Sequence, residues 1–279
     1  MNRRHLRHLG KGGLELVEEA THLLRRALVA TLASYYLGAL PFVLGFLYFW
    51  ADMSRNAFAF QRLTTSTLAL AGLFLWMKTW QTIFARNLRA QLSSEPNSSS
   101  TARRLVRVFI VQTVVQPSGL FLLPLAAVPL FPFAWVYAFY QSATALTDGD
   151  ASDVRAVIKR AGQQAVLWPQ QNHLALFILL LFGSAVFLNL LLVCLALPHL
   201  VRIFFGIESV FTQSTMSLLN TTFLSGILGL TYLCVDPLIK TVYVLRCFYG
   251  ESLKSGEDLK ADLKNSATVS SPAPTPALG

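Results

Sequence analysis

Apolar segments long enough to cross a bilayer recur from about residue 27 to residue 244, with no long polar insertion between them. A hydrocarbon core about 30 Å thick takes roughly 20 helical residues. Backbone groups placed in lipid must be satisfied internally, so segments of this length are read as helices. The composition agrees, with 54% hydrophobic and 13% charged residues where a soluble domain carries about 25% charged. The expected fold class is therefore all-α: a polytopic transmembrane helical bundle of about six spans, forming one domain, with interfacial amphipathic helices.

Residues 1–26 hold six basic residues, among them Arg3, Arg4, Arg7 and Lys11, with Leu14, Val17, Leu23 and Leu24 near helical spacing. They read as a basic amphipathic segment lying on the membrane. The first span is placed at 27–50, with Pro41 inside it and Tyr48 and Trp50 at its far end as interfacial aromatics. The second is placed at 63–84, where Lys78 falls near the end and can reach the headgroups. A polar stretch at 95–104 reads as an exposed connection. The next apolar stretch is too long for one span, and Pro117, Pro124, Pro129 and Pro132 punctuate its middle. It reads as spans 105–124 and 130–147, or as one re-entrant pair. Residues 151–168 place Val154, Val157, Ile158, Ala161, Ala165 and Trp168 on one face, an interfacial helix ended by Pro169. The fifth span is placed at 174–197, closed by Pro198, with a mixed segment after it lying on the outer face. The sixth is placed at 218–244. The bundle then covers 27–246, and residues 247–279 form a tail, disordered from about 266.

The net charge is +9, and its placement sets orientation. Six Lys and Arg lie in the N-terminal segment, five at 86–107 and three at 148–171, against two, none and one in the intervening loops. The excess marks the cytoplasmic side, which puts both termini there. No basic stretch interleaves with exposed aromatics, so the charge implies anionic lipid rather than nucleic acid. The N-terminal region is too polar, and the first apolar run too long, for a secretory signal. Cys194, Cys234 and Cys247 form no C-x-x-C pair and read as buried hydrophobes.

Asp236 and Lys240 are the most informative charges, since ionisable residues inside a span are costly and often functional. Their spacing puts them on one helix face with the acid first. Three readings stand: a structural ion pair at a helix break, with Asp236 capping a helix restarted at Pro237; a site for an ion, proton or lipid headgroup; and a catalytic acid. Asn189 lies deep in the fifth span, where its amide bonds a neighbouring helix or contacts a substrate. Gln112, Gln116 and Gln141 invite the same two readings. His199, Arg202 and Glu208 form a second polar cluster on the outer face, either lining a mouth or facing headgroups. No phosphate loop, H-E-x-x-H or G-x-S-x-G sequence occurs. No enzyme, cofactor or metal is expected.

The stretches PFVLGFLYFWADMSR (41–55), WMKTWQ (76–81) and DPLIKTVYVLRCFYGESLKSGEDL (236–259) resemble an uncharacterised group of bacterial integral membrane proteins. More distantly, the layout resembles the membrane domain attached to some glycerophosphodiester phosphodiesterases. Tyr243, Arg246, Gly256, Glu257, Asp258 and Leu259 stand in comparable places, with Gly256 and Glu257 in reversed order. No phosphodiesterase catalytic domain accompanies them. The resemblance implies a six-span fold in a bacterial inner membrane and no activity. The expected function is that of a non-catalytic organising or accessory component of a membrane-associated system, with membrane lipids and other membrane or cytoplasmic proteins as partners. The alternative is a small transporter or lipid-handling protein with a polar site in the bundle.

Overall fold

The computed structural model describes residues 11–93, 102–128, 132–147, 153–206 and 220–256. The first ten residues, most of the 95–104 connection, residues 129–131, Glu208 with its neighbours and the tail from 257 lie outside the described residues. Regular structure among those described is all helical. The helices are α1 (Gly13–Arg26), α2 (Val29–Arg55), α3 (Leu63–Ser93), α4 (Ala102–Ala127), α5 (Phe133–Leu146), α6 (Val154–Val166), α7 (Pro169–Phe205) and α8 (Thr221–Ser255), with a 3-10 turn at Ala59–Arg62 before α3. Five of them (α2, α3, α4, α7 and α8) are long and apolar enough to cross a membrane. With 14 residues, α5 is about 21 Å long, shorter than a hydrocarbon core about 30 Å thick.

Charged and amide side chains share the interior with the apolar core, and many large apolar side chains lie on the outside. Gln81, Gln112, Asp236, Lys240 and Arg246 are all less than 5% exposed, whereas Leu44, Leu68, Phe121 and Ile203 face outward. Water disfavours so broad an apolar surface, and lipid accepts it.

The central element is α8, which packs against α1, α2, α3, α5 and α7. Its first turn is capped by Asn220, whose Oδ1 accepts the Phe223 N–H at 2.8 Å. At the other end Gly256 takes φ +67° and closes on the Ser252 carbonyl. The helix runs unbroken through Pro237 and continues past Arg246 to Ser255. The expected break at Asp236 is therefore absent, and the start of the expected tail is instead the last turns of α8.

At two of the prolines inside these helices, a side chain from a neighbouring helix supplies the donor that the freed carbonyl lacks. Pro41 cannot donate to the Leu37 carbonyl, which accepts the Trp76 indole N–H of α3 at 3.2 Å. Pro237 likewise frees the Leu233 carbonyl, which accepts the Tyr36 hydroxyl of α2 at 3.4 Å. Pro198 does not close α7, which continues to Phe205 and ends at Gly206 with φ +65°. Pro169 does not close α6 either. That helix ends at Val166, and Pro169 opens α7, where its missing N–H costs nothing.

The ends of the helices gather on one face. In α1, Leu16 and Ala20 are fully buried against α7 and α8. Lys11 donates to the Tyr249 hydroxyl at 2.7 Å and pairs with Glu19 at 2.7 Å. Tyr249 in turn donates to Glu19. Glu251 of α8 binds Arg89 of α3 at 2.6 Å and also pairs with Arg160 of α6. Arg89 reaches the Ala145 carbonyl of α5 as well. Across α4 and α5, Gln112 donates to Thr147 and Gln116 to Thr144, so the two helices run antiparallel. The chain thus leaves this face along α4 and returns to it along α5.

Candidate functional site

Four helices converge on Asp236. Its Oδ2 accepts the Tyr35 hydroxyl of α2 at 2.8 Å and the Gln81 side-chain N–H of α3 at 2.9 Å. Its Oδ1 lies 3.8 Å from the Lys240 ammonium one turn along α8. Lys240 donates to Gln141 Oε1 of α5 at 2.6 Å. The second Gln81 N–H reaches the Tyr232 hydroxyl at 2.8 Å, and that hydroxyl donates to the Met77 sulfur. Both charges are almost wholly buried. Isolated in lipid, either would be expensive; together, with hydrogen bonds from three other helices, they are held in place.

Lys78 belongs to the same neighbourhood. Because α3 extends to Ser93, Lys78 sits in mid-helix and not near an end as the sequence suggests. Its ammonium lies over the Phe74 ring and close enough to Lys240 and Asp236 for their charges to interact. Two lysines and one carboxylate therefore share this neighbourhood.

An apolar groove of about 890 Å³ opens between α5, α7 and α8. It forms because α7 is buried only at Gln171, Asn172, Ala175 and Leu179, within its first three turns, and leaves a slot beside α8 beyond them. Leu180, Phe187, Val235 and Ile239 line its walls, and Tyr137, Tyr232 and Asp236 bring polar atoms to it. Neither Lys240 nor Lys78 lines it. At its lower end Asn172 of α7 bridges α8 and α5, accepting the Tyr243 hydroxyl and donating to the Ala134 carbonyl, each at 2.8 Å.

The structure brings Asp236 and Lys240 together and leaves Asn189 out. Asn189 is exposed on α7, and its amide donates to the Ala185 carbonyl of its own helix at 2.8 Å. That local bond satisfies the amide without a neighbouring helix. His199 and Arg202 are exposed in the last turns of α7, and Glu208, the third member expected of the outer cluster, lies outside the described residues. Gln141 enters the cluster through Lys240, whereas Gln112 and Gln116 hold α4 to α5. Tyr35 and Tyr232 were not singled out by sequence, because a tyrosine in a span reads equally as an interfacial or a packing residue. The only pointer to Gln81 was its place in the 76–81 motif. Among the described residues no group of three His, Cys, Asp or Glu side chains gathers as a metal site.

No protein-family model, curated protein or solved structure matches this chain.

Proposed function

We propose that this is a non-catalytic integral membrane protein that takes a lipid-like amphipath from the bilayer into the groove between α5, α7 and α8. The observation that carries this reading is the meeting of an apolar groove of about 890 Å³ with a buried carboxylate, Asp236, in its wall. Small-molecule sites combine apolar walls with a few placed polar groups in this way. We place the protein in a bacterial inner membrane with six spans and both termini cytoplasmic. The packing of α1 on the end of α8 supports termini on one side, and the excess of Lys and Arg there supports the cytoplasm.

The test is extraction from the native membrane into detergent-free lipid discs, followed by mass spectrometry of what stays bound. A Cβ added at Gly183 would meet only Val235 methyl groups, at 3.8 and 4.0 Å, so Gly183→Phe should fill the groove without displacing backbone. The expected result is an enriched lipid with the native chain, and its loss in Gly183→Phe at unchanged membrane abundance. Equal retention by both chains would refute the reading.

A second reading, the organisation of partner proteins, draws on a charged concavity of about 600 Å³ on α1, lined by Lys11, Glu15, Glu18, Glu19, His22 and Arg26. A stoichiometric protein in the same discs, in place of a lipid, would favour it.

A further inference from the structure

The polarity of the occupant follows from which charge of the cluster reaches the groove, and this inference rests on the groove reading above. Three ionisable side chains meet at the centre of the bundle, and by number the cations prevail. A ligand in the groove does not meet them equally, however. Asp236 lines the groove, while Lys240 and Lys78 do not. Lys240 is turned towards Gln141 of α5 at 2.6 Å, and Lys78 lies over Phe74 of its own helix.

The two oxygens of Asp236 are also unequal. Oδ2 accepts two hydrogen bonds, from Tyr35 and Gln81. Oδ1 has Lys240 at 3.8 Å, beyond hydrogen-bond range, so among the described residues it keeps acceptor capacity. Two of the other polar groups at the groove are engaged by the protein. Thr231 donates to the Ile227 carbonyl at 2.8 Å, and Tyr232 donates to Met77 while accepting from Gln81. We infer that the groove selects an amphipath whose polar end is a hydrogen-bond donor, an amine or a hydroxyl, that bonds Asp236 Oδ1, and that it discriminates against a carboxylate or phosphate end. An anionic end brought to Oδ1 would place two negative charges together in a medium that screens them poorly.

The experiment uses three photoreactive probes with one dodecyl diazirine chain and different ends: an amine, an alcohol and a carboxylate. Each is crosslinked to the purified full chain in micelles, and the sites are mapped by mass spectrometry. Crosslinks on the groove faces of α7 and α8 should be about tenfold stronger for the amine and the alcohol than for the carboxylate, a difference of about 1.4 kcal/mol in binding. In Asp236→Asn the amine should lose its advantage while the alcohol keeps its crosslink, since an amide still accepts. Equal crosslinking by carboxylate and amine in the native chain would overturn the headgroup inference and leave the groove reading standing. Failure of all three probes to map to the groove would overturn both. The native-chain comparison decides the matter even where the Asn variant does not accumulate.

Discussion

Asp236 couples stability to chemistry because its partners come from other helices. Truncating it removes the acceptor for Tyr35 and Gln81 and leaves Lys240 buried beside Lys78 with no carboxylate. Breaking one side of a buried ion pair typically costs about 3–5 kcal/mol, whereas replacing both sides by apolar groups is often near neutral. Asp236→Ala should therefore lower the thermal unfolding midpoint strongly in a fixed micelle, and Asp236→Ala with Lys240→Met should recover most of the loss. If the double variant is as unstable as the single one, the hydrogen bonds from α2 and α3 outweigh the ion pair. The pair itself was legible in the sequence from its i,i+4 spacing inside an apolar run. Its partners were not, because Tyr35, Gln81 and Gln141 are far from Asp236 in sequence and only helix packing brings them near. Asn189 misled for a related reason: depth in a span says nothing about which way a side chain faces, and α7 turns this one away from the bundle.

At the scale of elements, composition and periodicity reveal helices well and their ends poorly. Proline is a weak stop signal where lipid surrounds the helix, because no water competes for the freed carbonyl and a neighbouring side chain can serve it. Trp76 at Pro41 and Tyr36 at Pro237 do so here, and thus α2 and α8 run through their prolines. Contact between elements was also hidden in the sequence, since it depends on which glycines face a neighbour. A Cβ at Gly38 of α2 would stand 2.4 Å from Trp80 Cβ of α3, whereas one at Gly72 of α3 would meet nothing within 4 Å. The same substitution should therefore have opposite signs. Gly38→Ala should force α2 and α3 apart and cost about 1–3 kcal/mol, while Gly72→Ala should be neutral or stabilise by up to about 1 kcal/mol through helix propensity. Unfolding of both variants in one micelle system checks the pair, and a destabilised Gly72→Ala would mean that this face of α3 is packed against something other than lipid.

For the whole molecule, the number of spans is set by how far the chain travels between α4 and α5. The α1 end and the α8 end lie on one face, and α4 with α5 leaves and returns to that face, so the proposed topology needs an even number of crossings. Six full spans and four spans with a re-entrant pair both satisfy this geometry. The lengths pull in different directions, since α4 has 26 residues and α5 only 14. Val128, strongly exposed just beyond the last turn of α4, is the position that separates them. In a background with Cys194, Cys234 and Cys247 replaced, single cysteines at Glu18, Phe60, Val128 and Leu253 can be probed in intact cells with a membrane-impermeant maleimide. Phe60, in the 3-10 turn between α2 and α3, should label from outside. Glu18 and Leu253 should label only after the membrane is opened. With six spans, Val128 labels from outside alongside Phe60, because the proline-rich turn reaches the outer headgroups. A re-entrant pair would leave Val128 protected in intact cells while Phe60 still reacts. Labelling of Glu18 from outside would reverse the orientation drawn from lysine and arginine placement, and the groove at Asp236 would then open towards the opposite leaflet.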